Sequence, residues 1–121
     1  MTIQSTCNDI LVLAENGVCT ITFNRVAKKN SITGDMYLAL ADVLQQAAGS
    51  SDVRVVLIQG DATVFTAGND LGDFLNGPKP DENAPPFLFL QALAAFPKPI
   101  VASVCGPAVG IGTTLLLHCD L

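Results

Sequence analysis

Positive charge is scarce in this chain: six lysines and arginines stand against eleven aspartates and glutamates, for a net charge of −5. A nucleic-acid surface calls for a basic stripe, and here only Arg25, Lys28 and Lys29 cluster, so a nucleic-acid partner is not expected. Paired cysteines are also lacking. Cys7, Cys19, Cys105 and Cys119 lie far apart with no C-x-x-C pair, and buried, reduced thiols in a cytoplasmic protein are the reading that follows. His118 beside Cys119 is metal-like, yet neighbouring helical residues point in different directions and no second ligand pair exists. No metal is expected.

The first ten residues have no basic region followed by an apolar stretch, so no signal peptide is expected. Formal charge is missing from residues 100–119, a run about as long as the ~20 residues that cross a bilayer. Glycines at 106, 110 and 112, Pro107, Ser103, Thr113, Thr114 and His118 interrupt it, and no basic flank follows. It reads as a buried strand, a glycine-rich turn and the start of an apolar helix, with no membrane partner. No internal repeat and no second domain are found. Half of the 121 residues are hydrophobic, enough for the core of one domain.

Residues 10–14 and 18–24 are β-prone runs separated by Glu15-Asn16-Gly17, whose Asn-Gly step favours a hairpin turn. A helix is expected from near Thr33, with Asp35 in its first turn, an apolar face of Met36, Leu40, Val43, Leu44 and Ala47, and an end at Gly49. Residues 53–58 form a β-branched run expected to be a strand buried on both faces of a parallel sheet. Residues 64–75 turn through Gly68 into a short helix carrying Leu71, Phe74 and Leu75. Residues 76–86 read as a flexible surface loop and 87–96 as a helix closed by Pro97 and Pro99. Residues 100–104 are the next buried strand, before a final helix of about two turns. The order β, β, α, β, short α, α, β, α predicts an α/β fold with parallel crossovers.

Two glycine-bearing loops each follow a buried strand: Phe65-Thr66-Ala67-Gly68-Asn69-Asp70-Leu71 and Gly106-Pro107-Ala108-Val109-Gly110-Ile111-Gly112. In an open parallel sheet such loops converge where ligands bind. Each runs into a helix start, where backbone N–H groups lack partners, so together they could aim two N–H donors at one oxygen, as an enolate or tetrahedral oxyanion requires. Tight strand-to-helix packing alone would also account for glycines in one such turn. The last loop is not G-x-G-x-x-G, and no P-loop lysine follows, so a nucleotide-binding domain lacks its phosphate-gripping motif.

Three blocks in order carry a family resemblance: Asn24-Arg25 with Lys28-Lys29-Asn30-Ser31; the 65–71 loop; and Lys98-Pro99-Ile100-Val101-Ala102 with the 106–112 loop and Cys119-Asp120-Leu121. Together they resemble the amino-terminal half of the enoyl-CoA hydratase/isomerase (crotonase) family, over nearly the whole chain. The resemblance implies that residues 1–121 are the first part of a single ββα-spiral domain, truncated after the helix that follows the glycine-rich turn. It implies an acyl-CoA thioester substrate, no cofactor beyond the coenzyme A of that substrate, and a homo-oligomer, a trimer or pair of trimers. It also implies an oxyanion hole made by the N–H groups of Asn69 and Ile111, next to Gly110. The segment Ala67, Gly68, Asp70 and Leu71 would border the adenine, and Lys28 and Lys29 would lie along the CoA nucleotide, although a solvated surface turn explains the lysines equally well.

The sequence departs from the family at several places. Isoleucine 111 interrupts what is commonly a run of three small residues, and Cys105 replaces a commonly polar one. Backbone donation survives both. The first of a hydratase's two glutamates maps to Thr114, whose hydroxyl cannot share a proton relay as a carboxylate can. The second would fall beyond Leu121. Asp70 and Asp73 fit a helix amino-terminus, and Asp120 lies more than a turn past Thr114. The resemblance with Thr114 therefore leans toward double-bond isomerisation over hydration, against the alternative of a catalytically silent fragment that binds CoA or pairs with another chain.

Overall fold

The computed structural model describes residues 2–77 and 81–121, apart from the Phe74 side chain. The Asn-Gly step turns as expected: Asn16 and Gly17 both have positive φ, and strands β1 (Ile10–Glu15) and β2 (Val18–Phe23) pair antiparallel from Glu15↔Val18 to Ile10↔Phe23. Helix α1 (Gly34–Gly49) then crosses back to β3 (Val55–Gln59), which lies parallel to β2. Helices α2 (Leu71–Asn76) and α3 (Pro85–Ala95) lead to β4 (Ile100–Ser103), parallel to β3. Among the described residues the sheet order is β1-β2-β3-β4. The α/β arrangement with parallel crossovers is thus present.

Alternation decides which face is covered. Cys19, Ile21 and Phe23 of β2 and Val56 and Ile58 of β3 are buried in one cluster with Met36, Leu40, Val43 and Leu44 of α1 and Phe89 and Leu93 of α3. The expected apolar face of α1 is the observed one. Its start is set by Thr33, whose hydroxyl accepts from the Met36 N–H at 3.2 Å, while the Lys98 ammonium donates to the Ala47 and Ser50 carbonyls at its end, 2.7 Å each.

Several expectations are corrected. Strand β3 is not buried on both faces: Val55, Leu57 and Gln59 are half-exposed, because the helices pack on the opposite face. The expected 76–86 loop is shorter at both ends, since Asn76 belongs to α2 and Pro85 opens α3, where a proline costs no hydrogen bond. Residues 78–80 of that loop lie outside the described residues. The final two-turn helix is one α turn, α4 (Ile111–Thr114), continued by a 3-10 turn at Leu115–His118. Of the four thiols only Cys19 is buried; Cys7 and Cys119 are half-buried and Cys105 is exposed. After the 3-10 turn the chain returns to the sheet edge, where the Leu121 N–H and C=O bracket Val101 by bonding Ile100 O and Ala102 N.

Candidate active site

The two glycine loops meet backbone to backbone. Thr66 and Ala108 form a parallel bridge, in which the Thr66 N–H donates to Pro107 O at 3.3 Å and the Val109 N–H to Thr66 O at 3.0 Å. Gly68, at φ +91°, sits so close that a Cβ there would lie 2.8 Å from the Val109 carbonyl oxygen. Only glycine meets both demands at once.

On its other side the first loop bridges Ile32: the Ile32 N–H donates to Gly68 O at 2.7 Å and the Asp70 N–H donates to Ile32 O at 2.9 Å. The Gly68 carbonyl and the Asn69 N–H belong to one trans peptide plane and point in opposite directions. Anchoring the carbonyl to Ile32 therefore aims the Asn69 N–H away from Ile32. The same logic holds in the second loop. Gly110, at φ 59°, turns its carbonyl into α4, where it accepts from the Thr113 and Thr114 N–H groups at 2.9 and 3.0 Å. The Ile111 N–H is thereby turned away from the helix. Among the described residues neither the Asn69 nor the Ile111 N–H has an acceptor.

Side chains brace this frame. The Tyr37 hydroxyl, on α1, donates to Asn69 Oδ1, and burial pushes its phenol well above the usual range, so it stays a neutral donor. Asn30, fully buried, accepts from the Arg25 N–H at 2.8 Å through its amide oxygen and donates to Phe65 O at 3.2 Å. The Thr66 hydroxyl donates to Asn30 O at 2.6 Å and accepts from the Gly68 N–H at 3.1 Å. Arg25 donates to Asp70 Oδ2 at 2.8 Å and to Ser31 Oγ at 2.7 Å. The Arg25 hydrogen bond, helped by the Asp73 N–H, pulls the Asp70 carboxyl down to about 2.

The fold brings Ala67, Gly68, Asn69, Asp70, Gly110 and Ile111 into one neighbourhood, with Lys28 and Lys29 tied in because Lys29 O accepts from the Ala67 N–H at 3.0 Å. Both lysines are exposed. Leu71 is 73% exposed on α2. Arg25 parts from the basic cluster: its guanidinium is committed to Asp70 and Ser31. Asp70 caps α2 through the Asp73 N–H, Asp73 accepts from the Gly34 N–H at the start of α1 at 2.6 Å, and Asp120 accepts from the Ile100 N–H at 2.8 Å. These three carboxylates are thus engaged in the scaffold. Thr114 is exposed, with its hydroxyl 3.4 Å from Ile111 O. No group of three metal-ligating side chains occurs, and no helix is long and apolar enough to cross a membrane, among the described residues. Sequence reasoning missed Tyr37 and the inward role of Asn30; the only hint of the former was that Tyr37 is the chain's one tyrosine.

Comparison with known proteins adds an independent line. The enoyl-CoA hydratase/isomerase family model matches residues 13–121. The chain is 40% identical over 118 residues to mouse peroxisomal enoyl-CoA delta isomerase 3, covering 93% of this chain and 37% of that protein. It is 37% identical over 119 residues to 1,2-epoxyphenylacetyl-CoA isomerase of Escherichia coli K12, covering 93% and 45%. The solved structure of Pseudomonas aeruginosa OdaA superposes with a TM-score of 0.92 at 50% identity, over 95% of this chain and 47% of that one. The chain thus spans less than half the length of these relatives.

Proposed function

Because this chain belongs to the enoyl-CoA hydratase/isomerase family, we propose that it provides the oxyanion-stabilising part of an enzyme that isomerises the double bond of an enoyl-CoA. The observation that carries the reading is the pair of backbone N–H groups, on Asn69 and Ile111, left without acceptors by two loops locked together. Removing a proton next to a thioester carbonyl puts negative charge on its oxygen. Two preorganised donors at that oxygen lower the barrier without reorganising, each by about 3 kcal/mol. Lys28 and Lys29 meet the nucleotide phosphates, and the segment from Ala67 to Leu71 borders the adenine. The coenzyme A belongs to the substrate, and no other cofactor takes part.

Isomerisation is favoured over hydration on two grounds. Hydration needs a carboxylate to activate water, and Thr114 stands where the first would be; its neutral hydroxyl does not remove a proton at pH 7. Moving a double bond needs one base that takes a proton from C2 and returns it to C4. Asp70, Asp73 and Asp120 are committed to N–H donors and do not serve as that base; by the family resemblance it belongs to the part of the enzyme that this chain does not span. The enoyl-CoA delta isomerase name of the mouse relative agrees with this choice.

The test compares 3-enoyl-CoA isomerisation with 2-enoyl-CoA hydration in the complete enzyme that carries this segment, as wild type and as two variants. Proline is tolerated at the first position of a helix, so Ile111→Pro deletes one N–H at little cost to the fold. It is expected to lower isomerisation kcat by about 10²–10³-fold, whereas Ile111→Ala, which keeps the N–H, stays near wild type. Equal turnover by Ile111→Pro contradicts the proposal. CoA binding without turnover by that complete protein favours the second reading, in which this segment binds CoA but is catalytically silent.

A further inference from the structure

We propose that Tyr37 is a positioning residue for the enolate-stabilising site, holding the Asn69 N–H in place through the Asn69 side chain. The inference rests on the reading of that N–H as an oxyanion donor. The peptide plane that carries it is held on one side only by a scaffold bond, from the Ile32 N–H to Gly68 O, and the residue before it is a glycine at φ +91°. The Asp70 N–H bond to Ile32 O fixes the far end of Asn69, so the freedom left to the plane is that of the Gly68 torsions. On the other side of the plane the Asn69 side chain is caught by the Tyr37 hydroxyl. Tyr37 is 2% exposed, rests its ring on Phe89 at 5.7 Å and 43°, and stands on the well-capped first turn of α1. A buried hydroxyl does not reach a substrate on the exposed side of Asn69, so its action on the reaction passes through that residue. It links the α1–α3 layer to the first of the two loops that must keep a donor aimed at a developing charge, where small misplacements cost rate.

Tyr37→Phe keeps the ring on Phe89 and removes only the hydroxyl. In the complete enzyme it is expected to lower kcat for enoyl-CoA isomerisation about tenfold while KM stays within about twofold, because an aimed donor counts more in the transition state than in the bound ground state. Asn69→Ala breaks the same bond from its exposed end, without touching the core, and is expected to cause the same loss. In the Asn69→Ala background, Tyr37→Phe is expected to change kcat no further, which a merely structural tyrosine would not produce. The inference is overturned if Tyr37→Phe leaves kcat unchanged or lowers it by the same factor in both backgrounds. Should Ile111→Pro leave kcat intact, it is the oxyanion reading itself that fails, and the two failures are thereby told apart.

Discussion

Arg25 and Asp70 lie 45 positions apart and are joined at 2.8 Å, with Ser31 bonded to both. The pair fastens the basic turn to the start of α2, beside the Asn69 loop. Its energetics are readable by pH. In the unfolded chain the Asp70 carboxyl titrates near the ordinary aspartate value of about 3.9, and in the folded one the Arg25 bond holds it at about 2. A lowered carboxyl favours the folded state fully above pH ~4, and that contribution fades as pH falls toward 2. The wild type is therefore expected to lose stability across this window more steeply than Asp70→Asn, which still caps α2 but cannot pair with Arg25 as an ion. Denaturant midpoints measured from pH 5 to pH 2 check this; parallel curves would show that the ion pair contributes nothing. In the sequence, Arg25 groups with Lys28 and Lys29 as one basic cluster. Nothing local distinguishes an arginine paired 45 residues away from one offered to a phosphate.

At the level of elements, α1 is the pillar from which the site is braced. Thr33 caps its start, and Lys98, from the turn before β4, caps its end by donating to Ala47 O and Ser50 O. Lys98→Met keeps the stem but removes the ammonium from two carbonyls at the negative end of the helix. A loss of about 1–2 kcal/mol in unfolding free energy is expected, measured by urea denaturation at neutral pH. The bounds of α1 were legible because a threonine cap, an acidic first turn and a 3.6-residue apolar repeat agree there. The second face of β3 and the length of α4 were not. A β-branched run looks the same whether one face or both are covered, and the apolar residues after Gly110 fit an α turn and a 3-10 turn equally well.

For the molecule as a whole, the sheet order places the loops after β3 and β4 side by side, and the Thr66–Ala108 bridge locks them. That convergence was legible from two glycine-rich loops after two strands, and the family resemblance supplied the residues, Asn69 and Ile111. What stayed hidden were the ties that aim the peptide planes: Ile32 to Gly68, and Tyr37 to Asn69, 32 positions apart. Long-range bonds between single residues leave no periodic trace in sequence. The central claim is that these two N–H groups act together on one thioester oxygen. The most direct measurement is the infrared stretch of a 13C-labelled thioester carbonyl in an acyl-CoA bound to the protein. The account predicts a stretch lowered relative to free acyl-CoA, a smaller lowering in Ile111→Pro, and a full one in Ile111→Ala. A bound carbonyl with the same frequency in wild type and Ile111→Pro would contradict it.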